Sequence, residues 1–161
     1  MKTKSIRKKP WNRVNLPVYS ISSKTGNSSN MHIITYASQV SMQPKRFVCG
    51  IYLGTKTVSN VEENGEFILQ LLGAEQYRLV DLLGKKSGYK VDKISTLAKR
   101  DLLTTWNGFM ILKDALAVMH LKVISSFDGG DHKVFLCDVV AYKNIREGDV
   151  LTLDTLRVHK L

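Results

Sequence analysis

The chain has 161 residues, 43% hydrophobic and 24% charged, which is the composition of one globular domain and excludes fibrous and disordered classes. No apolar run reaches bilayer length, and the basic start meets Trp11-Asn12-Arg13 instead of an apolar signal core, so the expectation is a cytoplasmic protein without a membrane span. The formal net charge is +10, but six of the 24 basic residues and no acid fall within Met1–Arg13, which reads as a basic extension (1–13) ahead of a domain over 14–161.

In chain order, Leu16–Ser22 predicts a strand, Lys24-Thr25-Gly26-Asn27 a turn and Met31–Tyr36 the returning strand. Phe47–Leu53 is a nearly continuous apolar run and predicts a strand buried on both faces, ending at Gly54. Thr55–Glu63 predicts a short helix capped by Thr55 and stopped by Gly65, after which Glu66–Leu72 returns to strand. Ala74–Leu83 spaces Tyr77, Leu79, Val80, Leu82 and Leu83 along one helix face, with Gly84 as the stop. Lys85–Lys93 is polar and predicts an exposed loop of the kind that holds ligands. Ser95–Asp101 predicts another short helix and Trp106–Leu112 a strand. A long hairpin then runs from Ala115 to Tyr142, Glu147-Gly148-Asp149 makes a turn, and a short strand or helix ends the chain. Six or more strands, two short helices and no repeating βαβ unit predict an antiparallel barrel or sandwich.

The hairpin tip, Asp128-Gly129-Gly130-Asp131-His132, combines glycines that accept positive φ with an aspartate able to bond its own turn, and it sets His132 where the return strand begins. A solvated tip explains these residues equally well. Cys49 and Cys137 lie inside apolar runs and read as buried thiols, and without CxxC spacing they predict no zinc site. No phosphate-loop or GxGxxG sequence is present, and no aromatic-interleaved basic stripe extends the basic tail into a nucleic-acid surface. What recurs is small hydroxyl, amide and ammonium groups beside strand ends, at Asn30, Thr35, Ser38, Lys56, Thr57, Ser87 and Lys93. These are donors suited to an anionic phosphate, although each one alone is ordinary loop polarity.

The order Asn30-Met-His-Ile-Ile-Thr35-Tyr36-Ala-Ser38, Pro44, Lys56-Thr57-Val-Ser-Asn60-Val, Gly65-Glu66-Phe67, Ser87-Gly88-Tyr-Lys-Val-Asp92-Lys93 and Gly130-Asp131-His132 resembles the flavin reductase-like family with the FMN-binding split barrel, and most of all its flavoredoxin-type branch. The resemblance covers about residues 14–145. It implies a mainly β, Greek-key split β-barrel of one domain, a homodimer with FMN near the subunit interface, and electron transfer between NADH or NADPH, flavin and an acceptor. Carried over by motif, Asn30, Thr35, Tyr36 and Ser38 would line the isoalloxazine or ribityl chain. Lys56 and Thr57 would face the phosphate, and Ser87 and Lys93 would add polar contacts. His132 would stand near the flavin or nicotinamide as the one catalytic candidate. Tyr36 stands where the branch often has Trp and Gln70 where the family often has Asn, which predicts an altered pocket. The alternative is a non-enzymatic member of the fold that binds an altered flavin or haem.

Overall fold

The computed structural model describes residues 8–161. Nine strands and four short α-helices follow in order: β1 (Tyr19–Thr25), β2 (Ser28–Ile34), β3 (Ala37–Ser41), β4 (Arg46–Tyr52), α1 (Lys56–Asn64), β5 (Glu66–Leu71), α2 (Val80–Lys85), α3 (Lys93–Lys99), β6 (Leu103–Trp106), β7 (Phe109–Leu112), β8 (Ala117–Asp128), β9 (His132–Asn144) and α4 (Leu153–Val158). Seven strands make one antiparallel sheet in the order β2-β1-β5-β8-β9-β4-β3, while β6 and β7 pair separately. The connection from β4 through α1 to β5 passes over the places of β9 and β8, as a Greek key requires.

The hydrogen-bonded ladder does not close into a barrel. Its two edges, β2 and β3, are nevertheless consecutive in the chain and only Thr35-Tyr36 separates them. The sheet must therefore coil, in keeping with its inherent twist, until both edges meet at that connection, leaving a split between them.

Period-two alternation puts a separate core on each face of the sheet. Phe67 and Leu69 of β5, Ile21, Cys49, Ile51, Leu121, Phe135 and Cys137 pack with Val58 and Val61 of α1. Ile68, Met31 and Val118 face the other way, against Leu83, Leu97, Phe109, Ile111 and Leu156. Both cysteines are free and buried, and burial, with a further push from Asp138, raises the Cys137 thiol to about 12.

The structure differs from several sequence expectations. Lys24 and Thr25 belong to β1 instead of a turn. The polar, largely exposed β3 has no apolar period and was not expected. β4 buries Phe47, Cys49 and Ile51 but leaves Tyr52 exposed, so it is not buried on both faces. The helix expected over Ala74–Leu83 divides into a 3-10 turn, Ala74–Leu79, and α2, which runs past Gly84. The strand expected over Trp106–Leu112 is a hairpin turning at Asn107-Gly108, both at positive φ, a strong turn signal that sequence reading passed over. The helix over Thr55–Glu63 does form: the Thr55 hydroxyl accepts from Val58 N–H, and Gly65 closes it at φ 73°. Of the expected basic extension, residues 1–7 lie outside the described part, and Pro10–Asn12 makes an exposed 3-10 turn. No helix among the described residues is long and apolar enough to cross a membrane.

Candidate functional site

The long β8–β9 hairpin delivers one wall of the site. Asp128 Oδ1 accepts from Gly130 N–H at 2.7 Å and His132 C=O accepts from Gly129 N–H at 2.9 Å, which locks the tip and starts β9 at His132. Register then places His132 opposite Tyr52, the last residue of β4. The imidazole lies 4.9 Å from the Tyr36 ring and 5.2 Å from the Tyr52 ring, centroid to centroid, and its Nδ1 is 2.6 Å from Asp131 Oδ1. Gly50 makes this cluster possible, because a Cβ there would come within 3.2 Å of Tyr36 Cβ and 3.8 Å of His132 Cβ. A side chain at position 50 would crowd Tyr36, whose Cβ would have to give by a few tenths of an ångström.

The opposite wall is polar. Asn30 of β2 is 4% exposed and its Nδ2 donates to Thr57 Oγ1 at 2.9 Å. Gly88 lies so close over this amide that a side chain there would collide with Asn30 Oδ1. Lys93, the first residue of α3, is 2% exposed, and its ammonium donates to Leu83 C=O at 2.8 Å. Burial lowers its pKa to about 8, and among the described residues no carboxylate is bonded to it. Asp92, its neighbour, is engaged in capping α3, where its Oδ1 accepts from Ser95 N–H. A buried ammonium with one carbonyl acceptor has donors left over and an uncompensated charge.

These walls line a run of four neighbouring cavities that share residues, together the cleft. A cavity of about 910 Å³ over Ser28, Lys56 and Lys90 shares Asn30, Lys56, Gly88 and Lys93 with one of about 360 Å³ that reaches Thr57 and Ser87. His32 and Tyr52 carry that space into a chamber of about 260 Å³ at Thr35 and Tyr36, and His132 leads on into one of about 430 Å³ that reaches Ser38. All nine expected site residues line this cleft, although they come from separate parts of the chain. Thr57 is less open than expected, since it is fully buried with its hydroxyl already accepting from Asn30. Lys93 is a buried helix residue and not part of an exposed loop. Ser87 is exposed and organises its own turn, accepting at Oγ from Tyr89 N–H.

Two further residues line the cleft: His32, to which the sequence gives no specific task, and Tyr52, which carries no sequence signal. His32 lines both middle chambers, and burial, then Lys93, then His132 lower its pKa to about 4. Gln70 was expected to alter the pocket, but it is fully buried elsewhere. Its Nε2 donates to Ser20 Oγ and its Oε1 accepts from Leu112 N–H, which fastens the β6–β7 hairpin to the sheet. His120 is likewise outside the cleft, with Nε2 3.0 Å from Glu66 Oε2. Among the described residues no group of three or more His, Cys, Asp or Glu could hold a metal ion.

Fold and cleft together define a mainly antiparallel β protein whose split sheet frames one elongated site, cationic at one end and aromatic at the other. The model of the flavin reductase like domain matches residues 11–160, and the chain belongs to that family. It is 27% identical over 132 residues to a protein of Nostoc sp. that carries the name diflavin flavoprotein A 2. That match takes in 81% of this chain, which spans about a quarter of the length of the curated relatives it matches. Its fold is that of the FMN-binding protein from Thermus thermophilus (TM-score 0.75, 21% identity, 89% of this chain and 79% of the other). Flavoredoxin from Methanosarcina acetivorans shares it as well (TM-score 0.74, 18% identity, 88% and 75%).

Proposed function

We propose that the chain is an FMN-binding oxidoreductase, working as a flavin reductase or flavoredoxin-like electron carrier between NADH or NADPH, flavin and an acceptor. The observation that carries this reading is the buried, uncompensated Lys93 ammonium at one end of a cleft whose other end is lined by Tyr36, Tyr52 and His132. A phosphate is the anion that such a cation fits, and a flat apolar ring is what the aromatic end fits.

In this reading Lys93 and Lys56 bind the phosphate, with Ser87 at the rim. Thr57 holds Asn30 in place, so that the amide keeps its free oxygen directed at Gly88. Thr35, Tyr36 and Ser38 seat the ring, and His132 borders it. Bound FMN would supply hydride and electron transfer; the protein's part is to orient the ring and keep water from it. Asp131 fixes the His132 ring by holding Nδ1, which leaves Nε2 as the atom able to meet a ligand. Exposed apolar side chains also suit a homodimer: Tyr36 at the ring end is 58% exposed, and Val40 and Met42, further along β3 and just past it, are 55% and 89% exposed.

The test is to titrate the purified protein with FMN while following flavin fluorescence, then to add NADH or NADPH without oxygen. Quenching at micromolar FMN followed by bleaching of the flavin absorbance is expected. A protein that ignores micromolar FMN would overturn the reading, and one that binds FMN but is reduced by neither nicotinamide would be the non-enzymatic alternative.

A further inference from the structure

We propose that His32 is a specificity-determining contact of this site, its imidazole hydrogen-bonding the hydroxyls of the sugar-alcohol chain that joins the phosphate of a flavin to its ring. The proposal rests on the flavin reading above and adds a residue to it.

The sequence offers no motif for this role; the geometry does. Asn30 and His32 are two residues apart on β2 and therefore point to the same side, separated along the strand by roughly 7 Å. Asn30 stands with Thr57, Lys56 and Lys93 at the cationic end, whereas His32 is shared between that chamber and the one formed by Thr35, Tyr36 and His132. Any ligand that places an anion at Lys93 and a ring at Tyr36 has to pass His32 with whatever connects the two. In a flavin nucleotide the connector is a polyol.

The second observation is an unmet hydrogen bond. His32 Nδ1 is buried with no partner, the one such side-chain nitrogen or oxygen among the described residues. More than nine in ten buried polar groups in folded proteins find a partner, and with Nδ1 closed off, Nε2 is the nitrogen through which the ring can bond whatever fills the chambers it lines. Lys93 and His132 are the charged or titratable groups that act on the ring, and with burial they hold it in the neutral form. A neutral imidazole has one donor and one acceptor nitrogen. Whichever of the two roles Nε2 takes, a hydroxyl meets it, because a hydroxyl both donates and accepts, whereas a phosphate calls for the charge that Lys93 supplies.

Three probes separate the parts of the ligand: FMN, riboflavin without the phosphate, and lumiflavin without the sugar-alcohol chain. His32→Leu is expected to weaken FMN and riboflavin roughly tenfold each and to leave lumiflavin within twofold, with His32→Asn recovering most of the loss. The apo-protein of His32→Leu should melt no lower than wild type at pH 7, because it loses an unpaired nitrogen and no hydrogen bond; a merely structural histidine would show the reverse. Should the leucine variant misfold, the wild-type ring gives the answer through its imidazole 15N resonances, which should move on adding riboflavin and stay in place on adding lumiflavin. Equal losses for all three probes, or no loss for any, overturn the role of His32 while leaving flavin binding intact. A wild-type protein that binds none of the three removes the flavin reading and this contact together.

Discussion

The two ends of the cleft are built on opposite plans. At the cationic end, Lys93, Asn30 and Thr57 are 2%, 4% and 0% exposed and already bonded to Leu83 or to each other. At the aromatic end, Tyr36 and Tyr52 are 58% and 53% exposed, and they touch only across the His132 ring. The first is a preorganised seat, in which the donors lose little freedom when an anion arrives. The second is an open face that can admit another ring or a second subunit. A ligand anchored at one end and exposed at the other would remain reachable by a reaction partner, as the proposed electron transfer demands.

The sharpest way to break this contrast is Lys93→Met. Loss of a charge-assisted contact should weaken FMN by roughly 10- to 150-fold and leave riboflavin nearly unchanged in a fluorescence titration. Equal losses for both ligands would mean that the buried cation serves the fold and not the phosphate.

Next in size is the pH dependence of His32. Its folded pKa, about 4, lies below the ordinary value of 6.5, so between those two pH values the unfolded chain holds the proton more tightly. The stability present above pH 6.5 is therefore lost as pH falls towards 4, by up to about 3 kcal/mol. Urea melts from pH 4 to 7 should show this slope, and His32→Asn should flatten it.

Thr57→Val tests whether the polar seat is held internally. Depriving Asn30 Nδ2 of its acceptor should cost about 1–3 kcal/mol in urea denaturation and slacken FMN binding in step. At the open end the effect should be smallest. Tyr36→Ala is expected to lower affinity for FMN, riboflavin and lumiflavin alike by roughly 3- to 10-fold, with no change in the urea midpoint beyond about 0.5 kcal/mol. A large stability loss would show that this exposed ring is part of the core after all.

The long hairpin was legible because its apolar runs flank a turn whose residues each have a conformational reason to be there, and α1 because Thr55 and Gly65 mark both ends. β3 was not, because an exposed edge strand of Ala-Ser-Gln-Val-Ser carries no burial period. Family resemblance supplied the nine expected site residues. Lys93 read as a solvated loop lysine, since nothing local distinguishes a buried ammonium from an exposed one. His32 has no legible task in the sequence for the same reason: a lone histidine on a strand shows its environment only when Lys93 and His132 come up against it.

By itself the sequence determined the local elements and, through ordered motifs, the family, because caps, turns and alternating burial act over a few neighbouring residues. Only the tertiary structure decided which polar groups are buried, which are left without a partner and which share one cleft. Those properties depend on the coiling of the sheet that brings β2, α1, α3 and the tip of the β8–β9 hairpin together, and contacts between segments tens of residues apart leave no periodic trace in the chain.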